Sequence, residues 1–386
     1  MGSGNVYKRQ GYSSTPDGID MAYRAGLALK DMEFVQFHPT GIMPSGILIT
    51  EGARGEGAYL LNKDGDRFMK KYASKLMELA PRDIVSRSIM TEIKEGRGFK
   101  HETGVDCMKL DLRHVGDKII KEKLGGIREI SLKFSGVDPA KDLLDIRPVC
   151  HYMMGGIRVN ADTQMSRVPG LFACGECSGG MHGANRLGGN SLSDLLVFGK
   201  LAGVGAAQYI QGISTPPKVL DEEAKAIIRN ATNILNRESG NNPYLLHDEL
   251  EENMQSNVGI VRTAELLSAG ITKLENLKES YKEVKAKGAA QFNPGWHEAL
   301  ALRNLIITAE SVTRAALMRE ESRGAHTRVD FPGEQDEWLQ SNVVIHKGED
   351  GKMVARKIDR EKPSPELERI ANLSMDELEK EVAVQG

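Results

Sequence analysis

The sequence predicts an α/β protein that is interrupted by an α+β insertion and completed by a helical domain. Three observations carry this. Residues 1–37 are glycine-rich, then helical, then strand-like, and 151–212 return to glycine-rich strand–loop–helix chemistry. Between them, residues 38–150 interleave short strands with helices, the mark of a compact α+β unit. From residue 219 onward, apolar residues recur at spacings of three and four.

Taken in order, residues 18–29 read as a helix, followed by a strand at Phe34-Val-Gln-Phe37. The insertion holds strands at Gly46-Ile-Leu-Ile-Thr50, Ala58-Tyr-Leu-Leu61 and Met108-Lys-Leu-Asp-Leu112, with helices near 82–95 and 115–123. Arg82-Asp83 follows Pro81, as expected near a helix start. An apolar run, Gly170-Leu-Phe-Ala-Cys-Gly175, reads as a strand leading into a loop with glycines at 179, 180, 183, 188 and 189. A helix then opens at Asn190-Ser191. Further on, Leu250, Met254, Val258 and Val261 share a helical face, as do Leu302, Leu305, Ala309 and Val312, and Asn293-Pro294 separates two helices. Beyond residue 346, Lys, Glu and Asp dominate around Pro363 and Pro365, which reads as an exposed tail or docking segment.

The bulk properties exclude several classes. A net charge of −3 gives no support to nucleic-acid binding. Apolar residues nowhere run together for about 18 positions, the length of a membrane-spanning helix, and the first ten residues lack the apolar core of a secretory signal. The four cysteines, Cys107, Cys150, Cys174 and Cys177, are too few for a disulfide scaffold, which suggests a reducing compartment. Cys174-Gly-Glu-Cys177 has redox or zinc spacing, but without a second pair it reads as small buried residues flanking a turn. With no HxxxH, HxH or paired CxxC, no metal is expected.

The chemistry concentrates at the glycine-rich segments. Five glycines between a strand and a helix let backbone lie flat against a large ligand, and the helix start offers N–H groups to its electronegative atoms. With Arg186 and His182 inside that loop, an organic anion beside a cofactor is expected. Phe37-His38-Pro39-Thr40-Gly41 sets a histidine at a strand end, and Thr50-Glu51-Gly52-Ala53-Arg54-Gly55-Glu56-Gly57 packs a hydroxyl, two carboxylates and an arginine among glycines. Cys150-His151-Tyr-Met-Met-Gly-Gly156 adds a second histidine. Each has a bland alternative: a structural His-Pro-Thr turn, an ordinary i,i+3 ion pair of Glu51 with Arg54, an Asp83 that merely favours the helix dipole. Their joint content, several donors and no metal-ligand spacing, suits an organic dianion.

In this order, these segments resemble the flavoprotein subunit of succinate dehydrogenases and fumarate reductases. The resemblance runs nearly the whole length, from Asp17-Gly18-Ile through Gln36-Phe-His-Pro-Thr-Gly41, Thr50 to Gly57, Arg82-Asp83, Cys150 to Gly156 and His182-Gly-Ala-Asn-Arg-Leu-Gly-Gly-Asn-Ser191, to Glu321-Ser-Arg-Gly-Ala-His326. It implies a partial Rossmann-like FAD-binding domain at 1–37 and 151–212, a capping (substrate) domain at 38–150, a C-terminal helical domain at 213–345 and a charged tail at 346–386. FAD would lie against Asp17, Glu176, Arg186, Ser191 and Leu192. Succinate or fumarate would be held by His38, Thr50, His151 and Arg186. A hydride would pass between substrate and flavin N5, and Arg82 would move the compensating proton, fed through Glu51 and Arg54. An arginine, with a pKa ordinarily above about 12, does this only where neighbouring cations and exclusion of water disfavour its charge. In this family the capping unit is mobile and closes over the dicarboxylate, and the helical domain packs beside an iron–sulfur subunit. Any membrane-anchor subunits are separate chains. The implied location is cytoplasmic, peripheral on the cytoplasmic face of the cell membrane through partner subunits.

Three departures qualify these expectations. The family's GxGxxG turn for the FAD pyrophosphate, and the histidine that carries flavin covalently in membrane-complex members, have no counterpart here. By resemblance, the chain corresponds to the C-terminal portion of a longer protein, with roughly 200 residues upstream, and by itself would bind FAD poorly or not at all. Pro16 also stands where the family has glycine. L-aspartate oxidase, which shares the fold and much of the pocket, is the second reading, and an inactive fragment that keeps only partner binding is the third.

Overall fold

A computed structural model describes residues 15–215, 218–374 and 377–378. Two hydrophobic cores organise them. The first gathers the helix Asp17–Arg24, the strands β1 (Leu29–Lys30) and β7 (Gly156–Ile157), and the C-terminal helices Pro243–Asn257, Ala264–Tyr281 and Pro294–Met318. The hairpin β8 (Ser341–Lys347) and β9 (Met353–Asp359) closes that core, giving an antiparallel sheet ordered β7-β1-β8-β9. Leu302, Leu305, Ala309 and Val312 are fully buried along the helix Pro294–Met318, as their spacing predicts. Asn293 caps that helix by accepting from the Trp296 N–H at 3.0 Å.

The second core lies between Ile42 and Ile146. Here β2 (Val35–Ile42), β6 (Leu144–Met153), β5 (Asp106–Asp111) and β3 (Tyr59–Leu61) form one antiparallel sheet, with β4 (Phe99–Lys100) paired to β5. The helix Arg82–Lys94 packs on it through Val85 and Ile89. The long strands β2 and β6 run from one core to the other, so their side chains reach the junction.

Several local readings change. The helix expected to Leu29 ends at Arg24, because Gly26 turns the chain at φ +84° and frees Leu27 and Leu29 for the core. Gly46–Thr50 makes only a single bridge, Leu48 to Gly41. The run from Gly170 to Gly175 makes one bridge, Phe172 to Met165, since both bounding glycines adopt positive φ and leave too few residues for a ladder. The tail assigned from residue 346 begins inside β8. Val343 and Ile345 are fully buried, and the flanking lysines and acids that dominate the composition are the outward positions of the hairpin. Cys174 caps the short 3₁₀ turn Gly175–Cys177 and Cys177 ends it, both as free thiols.

Candidate functional site

The site forms where β2 and β6 cross the junction. Along β2, Gln36, His38 and Thr40 are all buried, polar residues at alternate positions in an otherwise apolar strand. The β2–β6 register slips between Gln36 and Phe37 and again between His38 and Gly41. At the first slip Gln36 faces Tyr152 and Phe37 faces Cys150, so His151 is the extra residue of a bulge. The bulge brings the His151 ring edge-on to His38, with centroids 5.4 Å apart. His38 Nδ1 lies 3.3 Å from Thr40 Oγ1, which donates to the Ile49 carbonyl at 2.7 Å. Gly41 is required where β2 meets β6: a Cβ there would sit 2.6 Å from Val149 Cγ1 and 3.1 Å from the Arg147 carbonyl.

Three guanidinium groups gather around this strand. Gln36 Oε1 accepts from Arg82 Nη1 at 3.2 Å and from Arg186 Nη2 at 3.1 Å. Its amide donates to the Arg186 carbonyl at 2.6 Å and to Asn185 Oδ1 at 2.8 Å. Arg82 Nη2 then reaches Glu51 Oε2 at 3.1 Å, and Glu51 Oε1 accepts from Arg54 Nη2 at 3.1 Å. Arg82, Glu51 and Arg54 thus form one continuous hydrogen-bonded chain. Arg54 is buried and also donates to the Glu78 carbonyl. Burial, and then the nearby Arg82 charge, hold the Arg186 guanidinium below its ordinary range. Burial lowers Arg54 as well, opposed by Glu51 and reinforced by Arg82.

Arg186 lies flat on Tyr152, its guanidinium carbon 4.4 Å from the ring centroid. Tyr152 is fixed by donating to buried Asp194 at 3.1 Å, and His182 Nε2 lies 3.3 Å from both the Tyr152 hydroxyl and the Asp194 carboxylate. Burial, with the Asp194 charge, pushes the Tyr152 phenol up. Gly189 at φ +85° is the N-cap of the helix Asn190–Gln211, so Ser191 and the exposed Leu192 stand at the helix start beside Arg186.

The residues singled out from sequence divide in two. The structure brings His38 to His151, Arg82 and Arg186 to Gln36, and Glu51 and Arg54 to Arg82 in one hydrogen-bonded chain. Thr50 sits exposed at the N-cap of the short helix Glu51–Gly55, with no capping bond. Glu176 accepts from the Met153 N–H at 3.1 Å. Asp17 is engaged elsewhere, by Thr15 at 2.7 Å and by Asn304 of the C-terminal helical core at 2.5 Å. Sequence reasoning missed Gln36, Tyr152 and Asp194. The signal was present for the first two: each is a polar residue within one or two positions of a candidate histidine on a buried strand.

The donors fit a flavin cofactor beside an anion. Arg186 Nε and Arg82 Nε are buried without hydrogen-bond partners among the described residues, leaving donors for ligand oxygens. The helix Asn190–Gln211 starts immediately beside them. Among the described residues no group of three or more His, Cys, Asp or Glu could hold a metal ion.

Residues 11–192 match the FAD binding domain model, and residues 247–369 match the fumarate reductase flavoprotein C-terminal model. The fumarate reductase flavoprotein subunit of Haemophilus influenzae is 40% identical over 352 residues, covering 87% of this chain and 58% of that protein. The succinate dehydrogenase flavoprotein subunit of Coxiella burnetii is 42% identical over 364 residues, covering 90% and 61%. Among solved structures, Escherichia coli quinol fumarate reductase FrdA superposes with a TM-score of 0.89 at 37% identity, covering 94% of this chain and 65% of that one. The Mycobacterium smegmatis Sdh1 complex in the apo form gives 0.84 at 40% identity, with 98% and 63% covered. These matches define a class, the flavoproteins with an FAD binding domain. The chain belongs to the flavoprotein subunit family of succinate dehydrogenases and fumarate reductases, and it spans about three fifths of the length of the curated relatives it matches.

Proposed function

We propose that the protein interconverts succinate and fumarate. The observation that carries this reading is the Arg82–Glu51–Arg54 chain running up to the buried, ring-stacked Arg186. Arg186, with His38, His151 and Thr50, binds the two carboxylates and fixes the four-carbon backbone. Glu176, Arg186, Ser191 and Leu192 would hold the flavin, and Asp17 would contribute through the helix it begins. FAD, when bound, supplies the hydride acceptor at its N5.

Desaturating succinate removes one hydrogen as hydride and its neighbour as a proton. Arg82 releases a proton of its own to Glu51 Oε2 at 3.1 Å as it takes up the proton from the substrate, and Glu51 and Arg54 pass it on by the same exchange, so each guanidinium keeps its charge; reduction of fumarate runs the same path in reverse. Arg54 closes the buried end of the route, while Glu51 between the two arginines is open enough to exchange its proton with water. Electrons leave through an iron–sulfur subunit, with membrane-anchor subunits as further partners. The similarity to quinol fumarate reductase FrdA and to the Sdh1 complex supports this assembly and, with it, peripheral association with a membrane, which we assign to the cytoplasmic face. None of the described helices is long and apolar enough to cross a membrane.

The test is dye reduction by the flavin-loaded protein. Succinate-dependent reduction is expected. Its absence, with hydrogen peroxide formed from aspartate instead, would replace this reading with an aspartate oxidase. Co-purification with an iron–sulfur subunit but no flavin absorbance would mark the chain as an inactive binding fragment.

A further inference from the structure

The two cores are joined by more than β2 and β6. The helix Arg82–Lys94, which belongs to the second core, also reaches the Ala184–Arg186 loop and the 324–327 turn through its opening turns. Asp83 Oδ1 accepts from Asn185 Nδ2 at 2.7 Å, one residue before Arg186. Asp83 Oδ2 lies 3.2 Å from Arg87 Nη2. Arg87 Nη1 donates to the Gly324 carbonyl at 3.0 Å and to Thr327 Oγ1 at 3.1 Å, bonds between residues more than two hundred positions apart. The circuit closes where the Ala325 N–H donates to the Ala184 carbonyl at 2.9 Å. A Cβ on Gly324, which has φ +53°, would lie 2.5 Å from that same carbonyl, so the turn is pressed against the Arg186 loop.

We propose that Asp83 and Arg87 are positioning residues that clamp the helix Arg82–Lys94, and with it the Arg82 guanidinium, onto the Ala184–Arg186 loop through the 324–327 turn. An isolated Asp–Arg pair at i,i+4 on a surface helix does little. This pair is different because both members are committed to other segments: Asp83 to the loop carrying Arg186, Arg87 to a turn of the C-terminal region. Neither side chain touches the Arg82–Glu51–Arg54 chain in the hydrogen bonds of the site. Their effect is on distance. Arg82 and Arg186 share one acceptor, Gln36 Oε1, and that sharing holds only while helix and loop stay in register. A displacement of about 1 Å at a proton-transfer group costs on the order of a hundredfold in rate.

The clamp itself is tested by hydrogen–deuterium exchange on the protein, without any need for activity; its kinetic consequence rests on the reading of Arg82 above. In Arg87→Ala, and independently in Thr327→Val, amide exchange should speed by about tenfold or more in the first two turns of the helix Arg82–Lys94 and in 321–328. Exchange in β5 and in the helix Pro294–Met318 should stay at the wild-type rate. In the flavin-loaded enzyme, Arg87→Ala should lower kcat for succinate by about 10- to 100-fold with KM changed less than about threefold, and Arg87→Lys should recover part of the loss. Wild-type exchange in both variants, loosening spread over the whole molecule, or local loosening with unchanged kcat would each overturn the proposal. An Arg82→Ala enzyme with full turnover would reject the proton route instead, while the exchange measurement still decides the clamp.

Discussion

Gln36 is the residue on which the site's geometry turns, and replacing it with leucine measures how much. Gln36 is fully buried and makes four hydrogen bonds, two of them from guanidinium groups. Bonds to charged partners are worth about 1.5–3 kcal/mol each and neutral ones about 0.5–1.5 kcal/mol. Leucine has a similar volume, so cavity formation adds little and the loss is chiefly of polar partners. The neighbouring residues Leu187 to Asn190 are exposed, and water entering there can satisfy part of what is left behind. The low end of each range therefore applies, giving a destabilisation of about 4 kcal/mol for Gln36→Leu. Urea unfolding of the two proteins reads this directly, as a lower midpoint at unchanged slope. A loss under about 1 kcal/mol would refute the reasoning, because it would mean Arg82 and Arg186 are not held by a shared acceptor.

Other outcomes follow from individual contacts. Arg186→Lys keeps the charge but loses the planar stack on Tyr152 and the bond to Gln36, so titration should show succinate binding weaker by about tenfold or more. Gly41→Ala drives a methyl into Val149 and should cost about 1–3 kcal/mol in thermal or urea unfolding; an unchanged midpoint would contradict the close crossing of β2 and β6. Glu33, fully buried beside Arg319 and Asp31, has its carboxyl pushed up to about 7 by burial, against the pull of Arg319. The interior favours its protonated form, so this contribution to stability is fully present below the unfolded pKa near 4.5 and is lost as pH rises through about 7. Glu33→Gln should therefore flatten the fall in urea midpoint across that window, and an identical slope in both proteins would count against the shift.

Much of the site could be read from the chain because its chemistry sits in short, dense motifs. Glu51 and Arg54 are three apart on one helical turn, and Arg82 follows a proline that fixes its helix start. The histidine pair was legible as residues but not as a pair, since His38 and His151 meet only through a bulge whose register depends on the partner strand. Gln36 was given no role because glutamine carries no charge, although it opens the Gln36–Gly41 motif and alternates with His38 and Thr40 on a buried strand. Asp194 escaped for a different reason. It lies on a helix whose face is set by the loop before it, and its partner Tyr152 is 42 positions away. The β8–β9 hairpin was hidden by composition: lysines and acids on its outer positions outnumber the inward Val343 and Ile345.

The central claim is that Arg82 moves the proton while Arg186 and its neighbours hold the dicarboxylate. Anaerobic mixing of the flavin-loaded protein with succinate tests it most directly, by following loss of the oxidised flavin absorbance in wild type and in Arg82→Gln. Wild type should bleach, and the variant should bind succinate yet bleach about 10²- to 10⁴-fold more slowly. Equal bleaching rates, or a wild-type flavin that succinate leaves oxidised, would contradict the account.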